Sequence, residues 1–358
     1  MIQPKVTSLR CALLTAALAL ACSQRRPLLD ARSGAPEYSG AAELPWPPPN
    51  ASTAPPLADA PAAPPSLGPA PAPQEPPELT SDGLYVLRGA ELQLTVDAQR
   101  GGRVVSFELA GKSALLEASS APDGVATAFW PSPPGDWGGS VPAELDREPY
   151  GARVEGDALL LQSDASAALG LRFEKRYRLD RQRRAVEITY GIVNVGQQPR
   201  RVAPWEVQRM RANAGLLFFP TGQPSSTQST LKLDARSPVT WFTFDANRQT
   251  APVKAYADGH GGWLAQVSDD LVLVRAFTDS EPGARAPGEA EIEILADYDL
   301  TTKQHRYVEA GLQGPYVELA PGASSSWTVR WFLRRLPAGI SIKAGNAELL
   351  GFVRGVVQ

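Results

Sequence analysis

Indole rings interspersed with carboxylates carry the clearest chemistry in this sequence. A saccharide offers C–H faces that stack on aromatic rings and hydroxyls that need charged or amide partners, so tryptophan mixed with Asp, Glu, Arg or Lys is what a sugar-binding surface requires. The stretch from Trp130 to Tyr150 has that mixture: Trp130, Asp136, Trp137, Glu144, Asp146 and Tyr150, spaced by proline and glycine. It suits equally a long loop that folds over one end of a domain and buries its own rings. Trp205 and Glu206 form a second candidate pair. Neighbours on a strand point to opposite faces, so at most one of them faces a site directly. Glu206 and Glu309 together could also serve as the donor and base of a hydrolytic carboxylate pair. Trp327, Trp331 and Leu333 share one parity and read as core.

The remaining catalytic types are scarce. Of the two histidines, His260 lies in the glycine-rich turn Asp258-Gly259-His260-Gly261-Gly262, where it reads either as a solvated loop residue or as an acid reaching a site. His305 reads as a surface residue. The only cysteines are Cys11 and Cys22, so a zinc site of the usual spacing is excluded from the rest of the chain. Asp297 and Asp299 flank Tyr298 and mark either a carboxylate calcium site or, more simply, a strand end. Neither histidine sits near a Gly-x-Ser-x-Gly elbow, and no strand is followed by a dinucleotide-type glycine pattern. No cofactor is expected.

Composition divides the chain. Of its 34 prolines, 16 fall between Pro27 and Pro77. Residues 22–80 lack the large apolar side chains needed to offset ordering entropy and read as an extended Pro/Ala tether. Ahead of them, Lys5 and Arg10 precede an apolar run from Cys11 to Ala21, the layout of a secretory signal peptide and too short to cross a bilayer. Residues 81–358 are left for one folded domain. A net charge of −3 over 358 residues gives no basic face for nucleic acid.

The domain must be built of strands, because its apolar residues recur with period two. Leu169, Leu171, Phe173 and Tyr177 alternate with charged residues, and Val186 to Ile192 repeats the pattern after a turn, predicting a hairpin. Further strands are expected at 92–96, 104–109, 159–162, 216–219, 239–244, 264–267, 271–277, 292–295, 307–312 and 327–333. The fold class is therefore all-β, a large antiparallel β-sandwich, with one short C-terminal helix that Asn346 caps and Leu349, Leu350, Val353 and Val356 line.

Two resemblances sharpen this reading. Leu18-Ala19-Leu20-Ala21-Cys22 resembles the bacterial lipobox, which implies cleavage after residue 21 and acylation of Cys22, with Ser23 implying the outer membrane. The alternative is an ordinary signal peptide with an incidental cysteine. Gly101-Gly102-Arg103-Val104-Val105-Ser106-Phe107 resembles the opening strand of the galactose mutarotase-like supersandwich. A bacterial domain-of-unknown-function family within that superfamily is resembled by Phe129-Trp130-Pro131-Ser132-Pro133, Lys175-Arg176-Tyr177-Arg178-Leu179, Pro204-Trp205-Glu206-Val207, Gly262-Trp263-Leu264-Ala265 and Tyr307-Val308-Glu309.

The superfamily resemblance implies a concave, carbohydrate-facing surface on which Glu309 matches the base of a mutarotase. The histidine that protonates the ring oxygen is missing, since Pro204-Trp205-Glu206-Val207 stands in its place. The leading expectation is an exported, lipid-anchored carbohydrate-binding protein of the cell envelope. Trp130, Trp137 and Trp205 would be its stacking platforms, with Arg103, Asp136, Glu206 and Glu309 as polar contacts. The alternatives are an aldose 1-epimerase-like enzyme using Glu309 as base and His260 as acid, or a structural envelope protein with a protein partner.

Overall fold

Strands Leu171–Asp180 and Ala185–Asn194 pair antiparallel over ten positions, from Asp180 opposite Ala185 to Leu171 opposite Asn194. Leu171, Phe173, Tyr177 and Leu179 point inward, joined at the same parity by the buried Lys175, while Arg172, Glu174, Arg176 and Arg178 lie on the wetter face, as period two demands. Asp180 Oδ1 accepts from the Arg183 amide at 2.9 Å and closes the turn. The computed structural model describes residues 75–121, 124–213, 215–225 and 227–358. The expected signal peptide, Cys22 and the tether as far as residue 74 lie outside the described residues.

This hairpin sits in a ten-stranded antiparallel sheet. From one edge its strands are Asp234–Arg236, Val239–Thr243, Leu216–Pro220, Trp263–Ser268, Leu271–Ala276, Ser324–Arg335, Ala185–Asn194, Leu171–Asp180, Ala158–Gln162 and Gly151–Glu155. A second sheet runs Val253–Ala257, Ile292–Asp299, Gln304–Gln313, Arg200–Met210 and Val317–Leu319, and Thr127–Ser132 pairs with Arg200–Met210. A five-stranded sheet spans Glu78 to Ser113. Its first pairing sets Glu78 opposite Val86, so ordered pairing begins three residues before the boundary expected at residue 81.

One apolar cluster joins the sheets. Phe107, Phe129, Phe173, Ile188, Ile294, Val308, Leu312, Val329 and Trp331 all belong to it, so the protein is the large antiparallel sandwich that the alternation predicts. Trp327 and Trp331 lie in this core, as their parity requires. The C-terminal helix Ala347–Val357 starts where Asn346 Oδ1 accepts from the Glu348 and Leu349 amides at 2.8 and 3.2 Å. It buries Leu349 and Val353 against Phe218, Trp241, Trp263 and Val274 on the back of the ten-stranded sheet. Among the described residues, no helix is long and apolar enough to cross a membrane.

Candidate functional site

Parity on the second sheet decides which side chains meet. Val202 and Met210 belong to the main core, so the even-numbered residues of strand Arg200–Met210 point inward and Trp205, Val207 and Arg209 point outward. Val308, Ala310 and Leu312 are core, which sends Tyr307, Glu309, Gly311 and Gln313 outward. By the same argument Ile292 and Ile294 send Glu293 outward, Ala255 sends Lys254 and Tyr256 outward, and Phe129 sends Trp130 and Ser132 outward. The ladders set Trp205 opposite both Gln313 and Trp130, Arg209 opposite Glu309, and Glu293 opposite Gly311. One outer face therefore gathers aromatic, acidic and amide groups.

The three tryptophans expected from the sequence converge here. Trp130 and Trp205 meet edge to face with centroids 5.3 Å apart, and Trp137 packs onto the same small cluster with Val125, Ala128 and Val207. Each ring of the loop is pinned. Trp130 Nε1 donates to Asp146 Oδ1 at 2.8 Å, and Trp137 Nε1 donates to the Pro131 carbonyl at 2.8 Å. Trp137 ends the short 3-10 turn Pro134–Trp137, which Gly138 closes at φ 64°, a left-handed conformation that suits glycine. Arg103 lies behind this platform. Its Nη2 donates to Asp146 Oδ1 at 2.7 Å and to the Asp146 carbonyl at 2.9 Å, so it orients Trp130 through Asp146. Asp136 is at the exposed rim, 3.6 Å from Arg200.

Beside the rings lies a polar network. Glu293 is 2% exposed and is ion-paired to Lys254, whose ammonium lies 5.4 Å from the Trp205 ring centroid and 4.8 Å from that of Tyr256. The Gln313 amide donates to Glu293 and, at 3.1 Å, to Glu289, while Ser132 Oγ donates to Gln313 Oε1 at 2.8 Å. Burial, aided by the neighbouring Glu289 and opposed by Lys254, pushes the Glu293 carboxyl up to about 8. Trp205 is 5% exposed, and its indole N–H has no hydrogen-bond partner among the described residues. The ring lies across Gly311, where a Cβ would come within 2.5 Å of Nε1.

Glu309 occupies the same face farther along its strand. Its Oε2 accepts from Arg209 Nε at 2.9 Å, and the guanidinium lies 4.1 Å above the Tyr307 ring. Burial raises the Glu309 carboxyl above the ordinary carboxylate range, while Arg209 works against the rise.

Two expected residues lie elsewhere. Glu206 faces the interior and is fully buried, with Oε1 3.1 Å from Arg275 Nη1. Tyr190 donates its hydroxyl to Oε2 at 2.8 Å, and Trp331 Nε1 donates to the same carboxylate. Glu206 and Glu309 thus stand on opposite sides of one sheet and do not form a carboxylate pair across a cleft. His260 is a solvated loop residue, its side chain 83% exposed and Nδ1 3.5 Å from Asp279. The preceding Gly259 donates its amide to Glu291, whereas Glu309 pairs across from Leu295. Four residues of strand, about 13 Å at ~3.3 Å per residue, separate those two levels. Asp297 is held by Arg306 at 2.6 Å, and Asp299 caps the following turn through Thr301 and Thr302, which makes them strand-end residues.

The sequence reading passed over Lys254, Glu293, Gln313 and Arg209. The run Glu291-Ile292-Glu293-Ile294 carried a signal, since its alternation sets carboxylates on the face opposite the isoleucines. Gln313 carried almost none.

The chain is similar to solved structures at low identity. A candidate aldose 1-epimerase from Escherichia coli K12 is 14% identical, with TM-score 0.48 over 71% of this chain and 99% of that one. A TPR-domain containing protein from Parabacteroides distasonis is 14% identical with TM-score 0.50, and the match covers 73% of this chain and 49% of that one. A galactose mutarotase related enzyme from Lactobacillus acidophilus is 9% identical, with TM-score 0.47 over 73% and 99%. No curated protein matches the chain. Residues 125–334, which span both sheets of the sandwich and every group on the outer face, match DUF4380, a domain of unknown function, and the chain belongs to that family.

Proposed function

We propose that the outer face of the second sheet binds saccharide, and that the protein does so at the cell envelope, exported by residues 1–21 and held through an acylated Cys22 on the tether 22–80. The observation that carries the binding reading is Trp205: a buried indole N–H without a partner, flanked by Glu293 and Gln313 and edged by Trp130. Leaving a buried donor unpaired costs about 1–3 kcal/mol, and a sugar hydroxyl that accepts from it removes that penalty while the adjoining rings take the C–H face.

Titrating the full chain with a panel of mono- and oligosaccharides while following tryptophan emission tests this reading. A saturable change that Trp205→Phe weakens supports it. Absence of any response across the panel overturns it, and a partner protein recovered by crosslinking would then favour a structural role.

A second reading is an epimerase, favoured by one observation. Glu293 and Glu309 lie on one outer face, burial raises both carboxyls, and only Glu309 has an arginine, Arg209, working against the rise, an asymmetry that acid–base exchange at an anomeric carbon would use by making Glu309 the base and Glu293 the proton donor. NMR of anomer interconversion, with Glu309→Gln as control, decides it: no acceleration by the wild type over the spontaneous rate removes the enzyme.

A further inference from the structure

We propose that the groove between the C-terminal helix Ala347–Val357 and the strand Ser324–Arg335 binds a medium-chain carboxylate, a linear acyl chain whose acid end is taken by Arg334. The groove lies on the back of the ten-stranded sheet, where the helix packs, and the inference does not depend on the saccharide reading.

Space and shape are the first argument. The groove has a volume of about 570 Å³, within the usual range of small-molecule sites. Phe332 forms one wall, and Phe352, Val356 and Val357 form the other. These three helix residues are only half-buried. Gly351 and Gly355 also line the groove, and nothing lies within 4 Å of where a Cβ would stand on either, so the place is open. From Gly351 to Val357 the helix advances about 9 Å at ~1.5 Å per residue, which makes the apolar strip long and narrow. A straight hydrocarbon chain laid along the helix covers both walls at once and removes them from water.

Charge is the second. Arg183 and Arg334 stand at this same groove. Asp180 answers Arg183, and Glu91 answers the neighbouring Arg184, whereas no carboxylate among the described residues pairs with Arg334. Its Nη1 donates to the Arg184 and Leu333 carbonyls at 2.7 and 3.0 Å, and its Nη2 donates to the Arg183 carbonyl at 2.8 Å. These bonds fix the guanidinium without neutralising it. The Nε–H and the second Nη2–H have no acceptor among the described residues, and parallel N–H groups of this kind are what an arginine offers to a carboxylate. Burial, with Arg184 adding to it, works against the Arg334 charge, so an anion is favoured there and a further cation is not. An acyl chain without the acid would leave the guanidinium uncompensated, and a small acid without the chain would leave the walls wet.

The test is calorimetric titration of the full chain at about pH 7, where a carboxylic acid is ionised, with decanoate, acetate and decyltrimethylammonium. Decanoate is expected to bind saturably and at least about tenfold more tightly than either of the others. Arg334→Met keeps an apolar stem and removes the charge, and should weaken decanoate at least about tenfold. Gly355→Leu should abolish binding by filling the groove. Open space at that position and the poor helix propensity of glycine keep this second variant folded, so it decides the matter if loss of the carbonyl bonds unfolds Arg334→Met. Equal binding of decanoate and decyltrimethylammonium overturns the inference, because it would mark adsorption of any amphiphile. Decanoate binding that Gly355→Leu does not weaken overturns it too, as does no decanoate binding at all. None of these outcomes bears on the saccharide reading.

Discussion

Trp205 and Glu206 are adjacent in sequence and serve opposite sides of one sheet. The indole lies on the outer face against Trp130, and the carboxylate lies between the sheets against Arg275 and Trp331. Their roles separate experimentally. Glu206→Ala leaves the Arg275 guanidinium buried and uncompensated, so the fold should lose about 3–5 kcal/mol. Urea unfolding should recover part of that loss in Glu206→Ala combined with Arg275→Met. A Glu206→Ala protein of wild-type stability that has lost its glycan response would contradict this assignment.

Gly311 tests the other face. A methyl group there collides with the Trp205 indole, so Gly311→Ala should displace the ring and cost about 1–3 kcal/mol, as overpacking of a filled site does. The ring is one of the three in the proposed platform. The variant should therefore shift the tryptophan emission spectrum and lose the glycan response together. A shifted spectrum with intact binding would place the ligand away from Trp205.

Asp146 is the hinge of the loop. One carboxylate oxygen receives both Trp130 Nε1 and Arg103 Nη2, and the Arg103 side chain is only 8% exposed. Asp146→Ala should cost about 2 kcal/mol, mainly by leaving that guanidinium short of an acceptor. It should also free the Trp130 ring, read as a loss of near-ultraviolet dichroism. Asp136→Ala, at the exposed rim, should change neither quantity, and an equal effect of both substitutions would refute the hinge.

Much of the sandwich is legible in the sequence because burial on one face writes itself as period two: Leu171, Phe173, Tyr177 and Leu179 announce their strand and its inward side. Trp130 and Trp137 are legible as stacking rings only by type, since composition names the rings and cannot say whether they meet Trp205. What stays hidden depends on partners distant in sequence. The interior position of Glu206 follows from core packing at Val202 and Met210 together with an arginine 69 residues away. Glu293 reads as an ordinary surface charge on a half-exposed strand, and Lys254 lies outside every strand the alternation predicts, until the ladder joins Val253–Ala257 to Ile292–Asp299. The tie between Arg103 and Asp146 spans 43 residues and leaves no local pattern at all.

Glu291 offers a test of the electrostatics beside the site. Its carboxylate accepts from the Gly259 and Ser280 amides at 3.1 and 2.7 Å, yet burial, with Asp279 and Asp258 adding to it, pushes the carboxyl up to about 8 from an ordinary 4.5. Between those two values the native state holds a proton that the unfolded chain has released. Stability from this group is therefore complete below about pH 4.5 and lost as pH rises through about 8. Glu291→Gln keeps one carbonyl acceptor and removes the titration. Thermal unfolding measured from about pH 5 to about pH 8 should show a shallower decline in the variant than in the wild type. Parallel profiles would mean that Glu291 is already ionised in the folded protein, and that the two backbone amides outweigh its burial.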